Sequence, residues 1–323
     1  MGMAMLISLS GCNNNVKTNN PKEETAQVKS VAVPQFNADT AYFFIQKQLS
    51  FGPRVPNTKA HRECGDWLVS MLKKYNLTVT EQKIRLRAFD GTMLDSRNII
   101  GSLNPDSRSR ILLCSHWDSR PWADHDPDVA NQKKPVPAAN DGASGVAVLL
   151  EVARVMSASN PGVGVDILLF DAEDYGEPQD ARGSYEDAWA LGSQYWSRNP
   201  HTPGYTARFG ILLDMVGAEG AVFGQEGNSR YYAPNIVRKV WETAERIGYG
   251  NFFVNNNTGQ VIDDHLYVNE NLRIPTIDII DYSDQREKGF FDYWHTTGDD
   301  IDKISKETLK AVGQTVVTVV YEN

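Results

Sequence analysis

Short, almost unbroken apolar runs separated by helix-periodic stretches constrain this chain more than any other feature of it. Arg110 to Cys114 is an apolar run of the kind that sits deep in a sheet, Val165 to Phe170 reads as a buried strand, and Phe209 to Leu213 and Thr276 to Ile280 read as further strands. Between and after them lie helix-spaced stretches: Gly142 to Met156 (Val146, Leu149, Leu150, Ala153), Tyr185 to Trp196, Pro234 to Ile247 and Ser305 to Tyr321. Upstream, Asp39 to Leu49 and Thr58 to Tyr75 are predicted helices, separated by Gly52-Pro53, with Thr58 placed to cap the second. Leu77 to Leu86 and Arg97 to Leu103 are predicted strands. The order β-β-β-α-β-α-β-α-β-α predicts a single α/β domain, a mixed, mostly parallel twisted sheet covered by helices on both faces.

In an open α/β sheet, ligands gather beyond the carboxyl ends of the strands. His116-Trp117-Asp118 ends one apolar run, Asp171-Ala172-Glu173-Asp174 the next and Asp214 the third. Asn140-Asp141-Gly142 opens a helix, and Asp292-Tyr293-Trp294-His295 precedes the last one. Singly, each has an ordinary explanation: Asp141 as a helix N-cap, His116 as a satisfied polar residue, Glu173-Asp174 as a solvated loop, Asp263-Asp264 as the cap of a short helix. Together, imidazoles and carboxylates delivered to one sheet edge make a hard N/O donor set suited to zinc.

His116-Trp117-Asp118, Ala139 to Gly145, Phe170 to Asp174, Leu213-Asp214-Met215 and Trp294-His295-Thr296, in that order, resemble the motifs of the zinc aminopeptidase superfamily that includes the glutaminyl cyclases. For its two-zinc aminopeptidases the resemblance implies His116, Asp141, Asp174, Asp214 and His295 as ligands and Glu173 as base. Three features are similar to the cyclase branch. They are Val261-Ile262-Asp263-Asp264-His265 ahead of Ile274-Pro275, Trp294 directly before His295, and the loop Trp117 to Asp126, which looks like that of bacteroidete relatives of the animal-type cyclases. This branch implies one zinc on Asp141, Asp174 and His295, leaving His116, Asp118 and Asp214 for a second metal or the shell behind the first. Asp174 stands where the branch usually carries Glu, and Asp278 where animal cyclases carry His.

The reaction the resemblance implies is closure of the N-terminal glutamine of a peptide or protein to pyroglutamate, with release of ammonia. Glu173 is then the base, Asp214 and Asp263 orient the leaving amide, and Trp294, Trp122, Trp189 and Asp278 form the substrate pocket. The first alternative is a dizinc aminopeptidase hydrolysing N-terminal residues. The second, a non-catalytic peptide-binding lipoprotein, would be expected to have lost Glu173 or a ligand, and none is missing.

A net charge of -9 without any cluster of Lys and Arg argues against a nucleic-acid partner. Near the start, Met5 to Cys12 is a short apolar run ending in Leu-Ser-Gly-Cys, followed by a polar stretch rich in Asn, Lys and Glu. It resembles a bacterial lipoprotein signal, although no Lys or Arg precedes the apolar run. The resemblance implies export to the periplasm or cell envelope and contact with a membrane only through a lipid on Cys12. Residues 1–12 would be the signal, 13–33 a flexible tether and 34–323 the zinc-dependent catalytic domain. Cys64 and Cys114 are expected to be buried free thiols, too few for a thiolate metal site.

Overall fold

The computed structural model describes residues 32–182 and 187–323, with residues 1, 2 and 11 besides, so Cys12 and the expected tether up to residue 31 lie outside the described residues. The first helix, α1 (Ala38–Leu49), is capped by Asn37, whose side chain accepts from the Thr40 N–H. The second, α2 (Lys59–Lys74), is capped as expected by Thr58, which accepts from the His61 N–H. There follow β1 (Thr78–Arg87), β2 (Met93–Leu103), β3 (Arg110–His116), α3 (Ala143–Ala158), β4 (Gly164–Phe170), α4 (Leu191–Arg198) and β5 (Phe209–Asp214). The remainder comprises β6 (Phe223–Gln225), α5 (Gly227–Tyr232), α6 (Pro234–Arg246), β7 (Phe253–Asn257), α7 (Asp264–Tyr267), β8 (Thr276–Ile280) and α8 (Lys306–Tyr321).

Two expectations are corrected. The helix placed from Tyr185 to Trp196 starts at Leu191, and residues 183–186 lie outside the described residues. Ala190 sits in the left-handed region at φ 54°, which a helix interior does not admit. The Gln194 side-chain amide binds the Asp187 and Trp189 carbonyls and holds the approach to the helix in that non-helical path. The stretch between β5 and β8 also contains β6, α5, β7 and α7, elements too short to print a period on the sequence.

Strands pair in the order β1-β2-β4-β3-β5-β8. The β1–β2 and β2–β4 pairs are antiparallel, while β4, β3, β5 and β8 run parallel and share one carboxyl edge. Side chains alternate across this sheet with the strand period of two. Ile111, Leu113, Ile167, Leu169, Ile211, Leu213, Ile277 and Ile279 join the larger core with Phe44 of α1, Leu68 of α2, Val146 of α3, Val237 of α6 and Val316 of α8. Leu112, Cys114, Leu168, Phe170 and Leu212 join a second core with Trp196 of α4. Burial on both faces is why these runs carry no polar alternation. Cys64 and Cys114 are both free and buried.

Helix α3 lies so close to the sheet that a Cβ on Gly145 would stand 2.2 Å from the Leu213 backbone oxygen. Main chain in the middle of a core cannot step aside cheaply. Gly145→Ala is therefore expected to lose about 1–3 kcal/mol, the usual cost of overpacking, measured as a lower urea midpoint at unchanged m-value. Wild-type stability in this variant would contradict the tight α3–β5 contact.

Candidate metal centre and active site

The loops at the shared carboxyl edge gather the expected residues around one cavity of about 630 Å³, lined among others by Asp141, Glu173, Asp174, Trp189, Asp214, Asp263, Trp294 and His295. Asp141, just before α3, is not the helix cap: that position falls to Gly142, without any side-chain hydrogen bond. Its two carboxylate oxygens face opposite ways instead, Oδ1 lying 3.0 Å from His116 Nε2 and Oδ2 3.6 Å from His295 Nε2. Asp214, at the end of β5, reaches His116 Nε2 at 3.2 Å, and Asp174 reaches His295 Nε2 at 3.2 Å. Two donor groups result, His116–Asp141–Asp214 and Asp141–Asp174–His295, in each of which one ligating atom per residue lies within 4.8 Å of the others.

These residues fit zinc. All the donors are nitrogen or oxygen, all are buried, and Asp174 Oδ2 has no hydrogen-bond partner. Crowding carboxylates in a low-dielectric pocket is unfavourable unless cations neutralise them. Burial pushes Asp214 up to about 7 against the hydrogen bond from His116. It pushes Asp174 well above the usual carboxylate range, with the neighbouring Asp141 charge adding to the effect. Burial, with Arg120 and His125 nearby, holds His295 well below the usual histidine range, in the neutral form that a metal requires. For His116, burial opposes the charge, but hydrogen bonds to Asp118, Asp141 and Asp214 outweigh it and raise the pKa.

Glu173 borders the cavity but belongs to neither donor group. Burial, reinforced by Asp263 and Asp174, lifts its carboxyl well above the ordinary range, with His116 opposing. Asp118 lies behind the donors: its oxygens accept the Glu173 and Asp174 backbone N–H groups at 3.0 and 3.2 Å and stand 3.5 Å from His116 Nδ1. Asp263 is the N-cap of α7, one oxygen accepting from the Asp264 N–H and the other, Oδ2, buried without a partner.

Trp294 and Trp189 line the cavity as expected, Trp294 stacking on His295 at 3.7 Å between ring centroids. Trp122 and Asp278 do not line it. Trp122 turns away to pack edge-on against Tyr175 and Phe89, at 5.3 and 5.9 Å. Asp278 is fully buried within β8, beside Asp263 and His265 in a cluster behind the cavity wall.

The sequence reading gave no role to several buried residues that hold the site. Asp299 accepts the Asn140 and Asp141 N–H groups at 2.8 and 3.1 Å, and burial beside Asp141 pushes it up to about 8. Arg54 donates to the Pro137 and Ala138 carbonyls of the same loop. Arg120 and Asp124 support the opposite side. Each lies in irregular chain; Asp299, Arg120 and Asp124 were signalled only as charged residues close in sequence to a donor motif, and Arg54, beside the Gly52-Pro53 break, gave no such signal. Ala172, Met215 and His295, neighbours of the donors or donors themselves, take left-handed φ of 55°, 49° and 54°, the kind of backbone strain that collects at functional sites.

Residues 98–320 match the family described as Peptidase family M28. A glutaminyl cyclase from Bacteroides thetaiotaomicron, crystallised with N-acetylhistamine, is 54% identical, with 90% of this chain and 99% of that one covered and a TM-score of 0.88. A Zn-dependent exopeptidase from Parabacteroides distasonis is 51% identical, with 90% and 100% covered and a TM-score of 0.90. Aminopeptidase YwaD of Bacillus subtilis is 28% identical over 84% of this chain, which spans about half (54%) of that relative's length. The chain therefore belongs to peptidase family M28, and within that zinc-dependent superfamily its structural relatives are bacterial glutaminyl cyclases and exopeptidases.

Proposed function

We propose that this protein is a glutaminyl-peptide cyclotransferase that closes N-terminal glutamine to pyroglutamate. The observation that carries the reading is a third acidic side chain, Asp263, which lines the cavity together with Glu173 and Asp214 and whose buried Oδ2 has no hydrogen-bond partner. Peptide hydrolysis by a metal-activated water needs one base, and Glu173 suffices for it. Both reactions expel a nitrogen, but the γ-amide of glutamine carries two N–H groups where a peptide nitrogen carries one, which gives Asp263 and Asp214 work as hydrogen-bond acceptors. Solved relatives at 50 to 54% identity include glutaminyl cyclases, which support this choice, and a Zn-dependent exopeptidase and a leucine aminopeptidase precursor, which support the second reading below.

Bound by Asp141, Asp174 and His295, zinc supplies Lewis acidity at the γ-carbonyl. Glu173 takes the proton from the attacking α-amine and returns it to the leaving nitrogen. The α-nitrogen–Cδ bond forms, the Cδ–amide nitrogen bond breaks and ammonia departs, so no other reactant is consumed. Trp189 and Trp294 wall the slot and fold the glutamine chain towards a near-attack geometry, a kind of contribution that reaches several kcal/mol.

One preparation assayed in parallel tests the reading. Ammonia release from a Gln-initiated peptide, with no amine release from a Leu-initiated one, is expected; Leu-peptide hydrolysis without cyclisation would overturn it. Asp263→Ala should cut cyclisation sharply while zinc content stays as in wild type, because Asp263 lines the cavity but belongs to neither the His116 nor the His295 donor group. The intact His116–Asp141–Asp214 group favours a second reading, a dizinc aminopeptidase. Metal analysis separates them: one zinc per chain fits the cyclase and two fit the peptidase. The partners we propose are peptides and proteins with free N-termini, met outside the cytoplasm by a protein anchored through Cys12.

A further inference from the structure

We propose that Arg120 is a positioning residue that sets two of the three zinc ligands and one wall of the substrate slot from a single buried guanidinium. Its side chain is fully buried, and its nitrogens donate to Asp124 and to the segment that follows β4. Nε and Nη2 make a bidentate pair with Asp124 at 2.7 and 2.8 Å, and Nη2 also donates to the Glu177 carbonyl at 3.1 Å. Nη1 lies 3.2 Å from the Asp174 carbonyl, 3.4 Å from Asp174 Oδ1 and 3.5 Å from the Gly176 carbonyl. The segment that carries Glu173 and Asp174 out of β4 is thus pinned at three successive points.

The second ligand is reached through Asp124. Its Oδ1 stands 3.7 Å from His295 Nδ1, a buried nitrogen without a hydrogen-bond partner. Metal-bound imidazoles characteristically donate this second N–H to a carboxylate, which fixes ring orientation and tautomer. The slot wall is reached through the flat face of the guanidinium. Arg120 Cζ lies 4.7 Å from the Trp189 ring centroid, and Trp189 is within 6° of parallel to His295. The opposing support is Gly176, where a Cβ would come within 2.0 Å of the indole, so the ring rests on backbone that Arg120 itself holds. Lysine has one charge point and no plane, and it cannot reproduce the bidentate pair and the stacking together.

The proposal rests on Asp141, Asp174 and His295 being zinc ligands, and it holds for either reaction. It is tested with Arg120→Gln, Arg120→Lys and Asp124→Asn, beside His295→Ala as reference. Zinc affinity is read by competition with a chromophoric chelator, and Trp189 emission as the difference from Trp189→Phe in each background. Arg120→Gln and Arg120→Lys are expected to weaken zinc by about 10–100-fold, the usual cost of losing an outer-shell partner, and to shift Trp189 emission. Asp124→Asn should weaken zinc without moving Trp189, because the guanidinium stays over the ring. At saturating zinc the Arg120 variants should still lose about 10²-fold in kcat, since displacing a catalytic loop by an ångström has that effect. Unchanged zinc affinity and Trp189 emission in folded Arg120→Gln or Arg120→Lys would overturn the proposal while leaving the ligands in place. If neither Arg120 variant folds, wild-type zinc affinity in Asp124→Asn overturns it. Zinc retention by His295→Ala would instead overturn the ligand assignment and the proposal with it.

Discussion

Glu173→Gln is expected to fold, bind zinc as tightly as wild type and lose about 10²–10⁴-fold in kcat, the range for removing one general base. Glutamine keeps the shape of the side chain and the backbone N–H bond to Asp118 that positions it, so only the proton acceptor is removed. The measurement is ammonia release from a Gln-peptide at saturating substrate, with zinc quantified on the same sample. Wild-type turnover in the variant would transfer the base role to another carboxyl at the cavity, Asp214 or Asp263. Lost zinc would show Glu173 to be a ligand, contrary to its place outside both donor groups.

Asp141→Ala should have a comparably large effect through a different quantity. Asp141 is the only residue common to both donor groups, with one oxygen turned to each imidazole. Its removal breaks either metal set, so zinc binding at micromolar metal should disappear, and activity with it. His295→Ala should do the same for the Asp141–Asp174–His295 group alone. A helix cap would behave otherwise, costing about 1 kcal/mol of stability with zinc kept. Metal analysis and a thermal melt on the same variant decide the matter, and full zinc content in Asp141→Ala would refute the bridging geometry.

The parallel strands, the helices over both faces and the edge at which chemistry collects were legible because each is periodic. Ile111 to Cys114 and Ile167 to Phe170 are apolar on successive residues, and that pattern fits only a strand buried on both sides. His116 and Asp214 end β3 and β5, Asp141 stands two residues before α3 and Asp174 four after β4, so these were legible from the elements, whereas His295, in the long loop between β8 and α8, was legible through its Trp-His-Thr motif. The short β6, β7, α5 and α7 span too few residues for a period to show. The late start of α4 depends on the left-handed turn at Ala190, a conformation that alanine does not advertise.

Trp122 and Trp189 show the boundary most clearly. Both are tryptophans near the candidate donors and both were expected in the pocket, Trp122 from a loop and Trp189 from a stretch read as helix. The fold turns Trp122 onto Tyr175 and Phe89, whereas Trp189 lies against Gly176 under Arg120 and faces the cavity. Asp278 was likewise placed in the pocket by the resemblance to the cyclases, which carry His there, and only packing put it beside Asp263 and His265. By itself the sequence determined the architecture and the candidate donor residues, because hydrophobic period and the chemistry of side chains are local properties. The tertiary structure alone decided which residues support those candidate donors and which aromatic rings line the cavity, because loop side chains take their direction from contacts made far along the chain, as Asp299 does with Asp141 and Arg120 with Asp174.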